Sequence, residues 1–324
     1  MTHAAHPPLL AAWLPRVQLD PSRLTHASAL HGGASGSSVY RLEGYAEPFV
    51  LKITPASAPD YVRERSQREI AFYQTLAARV PVPTPAVHHS VVDPDGGSAL
   101  LVRAYGPPLP AADWTDAEYR EIARQLARLH ARFWRATEEL ARLPWLRPPS
   151  GEITQETIAA ARDAWQVLQR QPAFEAVFTA ARRRLLDQLL EQVAGAPDDA
   201  AELPLTLCHN DFHMENLLRA DGGQFIWTDW QEVGVGYGAD DLSFFCQRAA
   251  HAGADVPLEL MLAAYRDELE TCTGQRVDAQ ALRARVARHE LLTRLLHWPA
   301  YLVGAAPAAL NAQLGRIEQL AAQL

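Results

Sequence analysis

The sequence predicts an α+β protein with a small β-rich N-terminal lobe and a larger, mostly helical C-terminal lobe. Strand-like patterns are concentrated before about residue 106, and helix-like patterns dominate after it. A Pro-rich connection, GPPLPAADW, separates the two regions and is the candidate hinge. A chain of 324 residues is long enough for two lobes with a sizeable core. We therefore expect an N-terminal lobe at 1–106 and a C-terminal lobe at 107–324.

Composition and charge narrow the class of protein. The hydrophobic fraction is 48% and the charged fraction 21%, as in a globular rather than a disordered chain. A net charge of −8 disfavours a nucleic-acid partner, which would favour a basic surface. Three cysteines without metal-finger spacing predict a reduced, cytoplasmic location. Since no signal peptide and no apolar stretch of about 18 residues is present, we expect no membrane partner. Oligomeric state is left open.

The N-terminal elements begin with two strands. SSVYRLEGY and PFVLKIT are rich in β-branched and aromatic residues, which favours strands. Residues 61–80 predict a helix with Ile70 and Tyr73 on one face, and the Pro-rich VPVPTP ends it. Residues 87–105 predict a hairpin whose turn is DPDGG.

The C-terminal region is mostly helical. Residues 115–134 begin with a Thr cap and carry an apolar stripe, which predicts a helix. Further helices are expected at about 153–171 and 173–195. TLCHN and QFIWTDW predict two short strands with DGG as the turn between them, and helices fill about 240–324.

Residues 24–54 as a whole are expected to form strands, and a glycine-rich stretch, HGGASGSS, lies between the first and the second of them. Glycines let backbone N–H groups approach a phosphate chain, and hydroxyls such as that of Ser35 can add donors. A Gly-Ser segment between strands is also a common simple turn. This stretch alone leaves both interpretations open.

Lys52 lies in the middle of the apolar strand PFVLKIT and needs an explanation. One interpretation is an edge strand from which the charged head reaches water. The other is a lysine held over a phosphate and oriented by a carboxylate. The following helix offers Glu69, which sits beside its apolar stripe, and Glu64 as a weaker alternative.

The stretch CHNDFHMENLL brings acids, amides and histidines together after a short strand. Asp211 and Asn216 are five positions apart in a loop, so their side chains can converge. An aspartate can accept a proton from a hydroxyl, and an asparagine carbonyl is a ligand for a hard metal. Asp229, at the end of a buried strand, needs a partner. A divalent metal is one candidate, and a helix or turn cap is the other.

The order of these features is more specific than any one of them. A Gly-rich turn, a strand lysine, a helix glutamate, a hinge, an H-x-D-x-x-x-x-N loop and a strand-end aspartate form the protein-kinase set. Here Asp229-Trp230-Gln231 replaces D-F-G, and no A-P-E motif or long activation segment follows. The chain therefore departs from protein kinases in the region that handles protein substrates.

These departures resemble the aminoglycoside phosphotransferase and choline kinase group of small-molecule kinases. The loop form H-G-D-x-H-x-x-N is matched by HNDFHMEN at His209, Asp211, His213 and Asn216. The metal motif I-D-W-E, followed by G-x-G and D-L-A, is matched at Asp229, Trp230, Gly234, Gly236, Asp241 and Leu242. The resemblance spans about residues 24–250. Asn210 replaces a common glycine and Gln231 a common glutamate.

The resemblance implies a protein-kinase-like two-lobed fold that binds ATP or another nucleoside triphosphate with Mg²⁺. It implies that Lys52 contacts the α- and β-phosphates and pairs with Glu69. Ser35 and neighbouring backbone amides would cover the phosphates. The segment 102–105 would face the adenine.

The resemblance also implies the roles of the C-terminal motif residues. Asp211 would be the catalytic aspartate, and Asn216 and Asp229 would hold magnesium. His209 and His213 would support the loop. Asp241 would hold the catalytic loop in place rather than react.

Two other functions stay open. A metal-dependent hydrolase could use His209, Asp211 and His213 as ligands. A non-catalytic nucleotide-binding protein could retain the kinase scaffold. For a kinase, we expect a small-molecule hydroxyl acceptor of the aminoglycoside, amino-alcohol or sugar-like type.

An amine on that acceptor is suggested by acids and aromatics in the C-terminal half of the chain. Glu232 and Asp240 could face a ligand, and Trp298 and Tyr301 lie near each other on a predicted helix.

Overall fold

A computed structural model gives the positions of residues 8–30, 36–149, 153–195 and 203–323. The chain divides into two units. The first contains 1–115, 138–147 and 209–234, and the second contains 116–137, 148–208 and 235–324. The predicted lobe boundary at residue 106 stays a prediction.

The first unit is built on a five-stranded antiparallel sheet. Its strands are β1 (His26–Ala29), β2 (Ser38–Glu43), β3 (Phe49–Thr54), β4 (Val87–Val92) and β5 (Ser98–Arg103). They lie in the order β1-β2-β3-β5-β4. The predicted hairpin is therefore confirmed as β4 and β5, and β3 lies at the centre of the sheet.

One face of this sheet is covered by the N-terminal segment. Helix α1 (Pro8–Trp13) and the residues after it bury Leu10, Trp13 and Leu14 against strand residues such as Leu51 and Leu101. The sequence analysis did not predict this short helix. Its role is to complete the apolar layer, since an antiparallel sheet with an apolar face needs a cover.

Helix α2 (Asp60–Thr75) follows β3 and is shorter than predicted. The expected helix ran to residue 80, but the chain leaves helical geometry at Leu76. There the amide of Ala77 bonds the carbonyl of Phe72, and the amides of Arg79 and Val80 bond that of Leu76. These bonds satisfy carbonyls at the end of the helix before the Pro-rich segment.

The short strands pair differently from the prediction. The DGG turn joins β7 (Leu217–Arg219) to β8 (Phe225–Trp227) in an antiparallel hairpin. The predicted strand TLCHN forms β6 (Leu205–Cys208), which pairs with β9 (Gly234–Tyr237) instead. Pairing partners depend on long-range packing, which local turn signals do not specify.

Helices make up most of the second unit, and they share an apolar core. They are α3 (Asp116–Arg132), α5 (Gln155–Gln169), α6 (Ala180–Gly195), α7 (Gly238–His251), α8 (Leu258–Thr273), α9 (Ala279–Leu296) and α10 (Pro307–Ala321). A short helix, α4 (Thr137–Ala141), follows α3 in the chain. One large cluster of buried side chains, including Trp165, Phe174 and Leu295, joins α5, α6, α9 and α10. The sheet followed by helices confirms the predicted α+β class.

The end of α9 differs from the prediction for the segment LLTRLLHWPAYL. The helix ends at Leu296, and Trp298–Tyr301 forms a separate 3₁₀ turn. Pro299 has no amide hydrogen and clashes with a preceding helical turn, so the α-helix stops before it. Within the described residues, no helix is long and apolar enough to cross a bilayer.

Gly238, the first residue of α7, has no room for a side chain. A Cβ there would lie 2.3 Å from His130 Nδ1 and 2.5 Å from the Tyr265 hydroxyl. We expect Gly238→Ala to lower the free energy of unfolding by about 1–3 kcal/mol, as overpacked core positions do. The matched control is Gly315→Ala in α10, where nothing lies within 4 Å of the added carbon. There the same change should stabilise the protein by about 0.5–1 kcal/mol. Urea unfolding checks both, and equal effects at the two sites would contradict the prediction.

Candidate active site

Lys52 occupies the centre of the sheet rather than its edge. It lies on β3 opposite Val39 of β2 and Leu100 of β5. Its Nζ atom is 2.7 Å from Glu69 Oε2 and 2.7 Å from Asp229 Oδ1. The edge-strand interpretation is therefore wrong, because the ammonium group is held by two carboxylates and is only 12% exposed.

The three charges depend on one another. Burial alone would lower the pKa of Lys52, but Glu69 and Asp229 outweigh it, and the pKa lies above its ordinary value. Burial also raises the pKa of Glu69, despite the neighbouring ammonium. For Asp229, burial acts to raise the pKa, but the charge of Lys52 outweighs it and leaves the pKa below its usual range. The ammonium therefore favours the ionised form of Asp229, whose side chain is 25% exposed.

The sequence contains one further indication of a special role for Lys52. It is the only lysine in the chain, among 30 lysine and arginine residues. Arginine carries positive charge everywhere else. A compact ammonium with three donors can bridge two carboxylates in a small space, whereas a planar guanidinium has a fixed fork geometry.

Glu69 comes from α2, as the sequence favoured. Its side chain is 4% exposed and faces Lys52, whereas Glu64 is exposed to solvent. Glu69 stands three positions before Phe72 and one before Ile70, both buried. The apolar face of the helix therefore carries the carboxylate inward.

His209 connects the loop after β6 to the end of β8. Its Nε2 atom lies 3.0 Å from the Thr228 carbonyl, and its Nδ1 atom lies 3.3 Å from the Asp211 amide nitrogen. A carbonyl only accepts and an amide N–H only donates, so Nε2 carries the proton and Nδ1 accepts. The fully buried ring thereby ties Asp211 to the residue before Asp229.

Asp211 and its neighbours lie at a partly open position. The Asp211 side chain is 26% exposed. His213 Nε2 lies 3.6 Å from Asp211 Oδ1, and His213 Nδ1 lies 3.5 Å from Glu215 Oε2. The loop therefore presents a carboxylate that a ligand can reach, with an imidazole beside it.

The β7–β8 hairpin brings Asn216 beside Asp229. Asn216 precedes β7, and its carbonyl accepts the amide of Thr228, the residue before Asp229. The side-chain nitrogen of Asn216 donates to the Asp211 carbonyl at 2.9 Å. That bond fixes the side chain with its nitrogen toward the loop backbone. An amide oxygen and a carboxylate from adjacent positions are suitable ligands for Mg²⁺.

Two nucleotide-related expectations concern Ser35 and the segment 102–105. Ser35 lies outside the described residues. Gly36 follows it with φ +75°, which favours glycine, and Ser37 Oγ lies 2.7 Å from Thr54 Oγ1. In the 102–105 segment, Ala104 donates its amide to Pro48 and Tyr105 offers its carbonyl to Arg41.

Asp241 lies on α7 in the second unit, within a buried polar network. His130 Nε2 is 3.3 Å from Asp241 Oδ2, and His130 Nδ1 is 2.8 Å from the Tyr265 hydroxyl. Possible ligand atoms of His130, Cys208 and Asp241 lie within 4.8 Å of one another. Both ring nitrogens of His130 already have partners, and burial raises the pKa of the Cys208 thiol. The network therefore fits a structural role better than a metal site.

A model of the phosphotransferase enzyme family matches residues 26–274. The chain belongs to this family. Among proteins with curated functions, none matches the sequence. The family assignment confirms the predicted class of enzyme, a small-molecule kinase.

Solved structures confirm the protein-kinase-like fold of this phosphotransferase. The GDP complex of wild-type aminoglycoside 2'-phosphotransferase-IIIa is 14% identical and has a TM-score of 0.64, with 98% of this chain and 99% of that chain covered. A choline/ethanolamine kinase family protein from Mesorhizobium loti is 18% identical with a TM-score of 0.54, covering 97% and 94%. A microcompartment-associated aminopropanol kinase is 16% identical with a TM-score of 0.56, covering 92% of each chain.

The hydrolase alternative fails on the geometry of the phosphotransferase loop. It required His209 as a metal ligand, but both ring nitrogens of His209 hold the backbone. A metal at either nitrogen would break one of these bonds.

The acids proposed to attract an amine are already paired with arginines. Glu232 contacts Arg65 and Arg147, and Asp240 accepts a two-pronged contact from Arg285 at 2.7 and 2.5 Å. The aromatic pair does not form a cage either, because Trp298 lies under Arg294 and Tyr301 is 84% exposed. The amine expectation therefore loses its motivation, since it assumed unpaired acids and one helix face.

Lys52→Met tests the charge balance. In the wild type, the pKa of Asp229 is lower in the folded than in the unfolded protein, where it is near 4. This difference stabilises the fold at pH values above the unfolded-state pKa. The stabilisation is lost as the pH falls through the folded-state pKa. Without the ammonium, two buried carboxylates face each other, and their pKa values should rise above the unfolded values. The loss of unfolding free energy caused by Lys52→Met should therefore grow as pH rises. We expect a loss of about 3–5 kcal/mol at pH 7 and clearly less at pH 5.

Urea unfolding at the two pH values measures this difference. Lys52→Arg keeps the charge and serves as the control, with a much flatter pH dependence expected. If Lys52→Met costs the same at pH 5 and pH 7, the two carboxylates do not interact as described.

Proposed function

We propose that this phosphotransferase moves the γ-phosphoryl group of ATP, or of another nucleoside triphosphate, to a hydroxyl of a small molecule, with Mg²⁺ as cofactor. The observation that carries the proposal is the Lys52 bridge between Glu69 and Asp229, beside a loop that presents Asp211. A positioned cation, a metal-ligating acid and a reachable carboxylate are the parts that phosphoryl transfer requires.

Lys52 is proposed to bind the α- and β-phosphates. Its three donors are held at a fixed place by Glu69, which is anchored on α2. The contact with Asp229 would give way to phosphate oxygens when the nucleotide binds. Ser35 and adjacent backbone amides are proposed to cover the phosphates, and the 102–105 segment to face the base.

Asp211 is proposed to orient the acceptor hydroxyl and to accept its proton at a carboxylate oxygen. Its partly exposed side chain and its loop, held by His209, support this role. His213 lies against the same carboxylate and is proposed to limit its orientations. Asp241 is proposed to have a supporting, structural role within the buried network of α7.

Asn216 and Asp229 fit Mg²⁺ by the chemistry of their donor atoms. The charge of Lys52 favours the ionised form of Asp229, and the bond from the Asn216 nitrogen to the Asp211 carbonyl fixes the Asn216 side chain. When bound, the metal offsets the charge on the β- and γ-phosphates. These two residues would hold it, and Lys52 would supply a second positive charge nearby.

The acceptor is proposed to be a small molecule of the aminoglycoside, amino-alcohol or sugar-like type. The family assignment and the absence of an A-P-E motif in the sequence support a small rather than a protein acceptor. Each of the three solved relatives has one of the first two types in its name. A cytoplasmic location is part of the proposal, and three free cysteines support it.

Asp211→Asn should leave folding and nucleotide affinity nearly unchanged and lower kcat by about 10²–10⁴-fold. The substitution keeps the size of the side chain but removes the base, and a positioned base contributes a factor of this order. Turnover and nucleotide Kd should be measured on the same preparation. Turnover close to that of the wild type would remove Asp211 from this role.

A screen of nucleotide consumption tests the whole proposal. ATP and GTP are each offered with panels of aminoglycosides, amino alcohols and sugars, with Mg²⁺ and with EDTA. We expect acceptor-dependent consumption that EDTA abolishes, because charge on the phosphates would no longer be offset. Activity that persists in EDTA would contradict the metal assignment.

The same screen separates the enzyme from a non-catalytic scaffold. A scaffold would bind the nucleotide without consuming it. Phosphorylation of a generic protein such as casein, with no turnover of any small molecule, would contradict the proposed acceptor class.

A further inference from the structure

One face of α2 lies against the segment 229–232, which begins with the proposed metal ligand Asp229. The contacting positions are 65, 68, 69 and 72, which have the spacing of a single helical stripe. Glu69 meets Asp229 through Lys52. The remaining three positions meet the next three residues of the chain, 230–232, by different kinds of contact.

The aromatic contact lies in the buried part of this stripe. Phe72 stacks on Trp230, with ring centroids 4.0 Å apart and planes inclined by 10°. Arg68 donates to the Gln231 carbonyl at 2.7 Å. These contacts fix the helix along the segment.

Glu232 provides the charged contact at the other end. Its carboxylate lies between Arg65 of α2 and Arg147, whose Nη1 is 2.5 Å from Glu232 Oε2. The carboxylate is 9% exposed, whereas the two arginine side chains are 37% and 42% exposed. The acid is therefore enclosed, and each arginine keeps access to water.

Glu232 is also bonded to the catalytic loop. Its carbonyl accepts the side-chain nitrogen of Asn210 at 3.0 Å. Asn210 has φ 61°, a left-handed conformation that asparagine tolerates. This bond accounts for an asparagine where the family often has glycine, since glycine would allow the same backbone but could not donate.

We propose that Glu232 is a positioning residue of the phosphotransfer site. It holds α2, and therefore Glu69, in place against the segment that carries Asp229, and it holds the loop that carries Asp211 through Asn210. The proposal rests on the proposed function for its effect on catalysis. Its effect on Lys52 can be measured without nucleotide.

The reactivity of Lys52 reports on this arrangement. Because Lys52 is the only lysine, an amine-reactive acylating reagent can modify its side chain and the α-amino group of the chain, and mass spectrometry separates the two. Lys52 should react slowly in the wild type, since its side chain is only 12% exposed and its Nζ atom is held at 2.7 Å by both Glu69 and Asp229. If α2 loosens, Glu69 withdraws and acylation accelerates. The α-amino group is the internal reference.

Glu232→Gln is the test variant, and Glu290→Gln is its matched control. Glu290 is likewise enclosed by two arginines, Arg294 at 2.8 Å and Arg316 at 2.6 Å, and is 11% exposed. It lies on α9 in the second unit. Both changes remove one carboxylate charge from a two-arginine clamp. Neither leaves a fully buried unpaired charge, so both variants should fold.

We expect Glu232→Gln to raise the acylation rate of Lys52 about 10-fold, as the loss of a supporting contact around a metal site commonly does for affinity or activity. Glu290→Gln should leave the rate within twofold of the wild type. Glu232→Asp keeps the negative charge between Arg65 and Arg147 and should keep acylation slow. If Glu232 only stabilised the fold, its variants would lower thermal stability without this difference between Glu232→Gln and Glu290→Gln in the acylation rate of Lys52.

The second measurement is the Kd for Mg²⁺-nucleotide and the Mg²⁺ concentration that gives half-maximal turnover. Both should rise about 10-fold in Glu232→Gln and stay unchanged in Glu290→Gln. If the wild type binds no Mg²⁺-nucleotide, the proposed function fails, and the acylation of Lys52 alone decides whether Glu232 holds α2 in place. If the wild type binds normally while Glu232→Gln matches it in Lys52 acylation and in both Mg²⁺ measurements, the inference alone is overturned.

Discussion

The site depends on one buried ammonium group between two carboxylates. Glu69 and Asp229 come from positions 160 residues apart in the chain, and the charge of Lys52 lowers the pKa of both carboxyls against the effect of burial. The sheet supplies the cation from its central strand, α2 supplies one acid, and the end of β8 supplies the other. Every other contact in the first unit that concerns catalysis serves to hold these three groups or the loop beside them.

Two structural features connect the loop that carries Asp211 to Lys52, Glu69 and Asp229. His209 uses both ring nitrogens on backbone groups, which leaves it no role as a ligand but sets the distance between Asp211 and the end of β8. The β7–β8 hairpin then returns the chain so that Asn216 lies beside Asp229. A buried imidazole with two backbone partners is a rigid connection, because losing either bond leaves a buried polar group unsatisfied.

Charge pairing also changes how the acidic segment after Asp229 should be interpreted. As a sequence, it offers Glu232 and Asp240 as groups that could attract a cation. In the fold, arginines neutralise both, and Glu232 becomes part of the support for α2 rather than part of a ligand surface. The acidity of the chain as a whole therefore says little about the acceptor.

The sequence alone determined the α+β class, the enzyme family and the residues proposed for the site. Those features are local. A strand lysine, an H-x-D-x-x-x-x-N loop and a strand-end aspartate are each recognised from residues that lie a few positions apart in the sequence. Only the tertiary structure decided that β3 is central, that β6 pairs with β9, that α2 ends at Thr75, and that Arg65 and Arg147 enclose Glu232. These depend on contacts between residues far apart in the chain, and the free energy of such a contact is set by burial and charge in the assembled fold, which no local pattern contains.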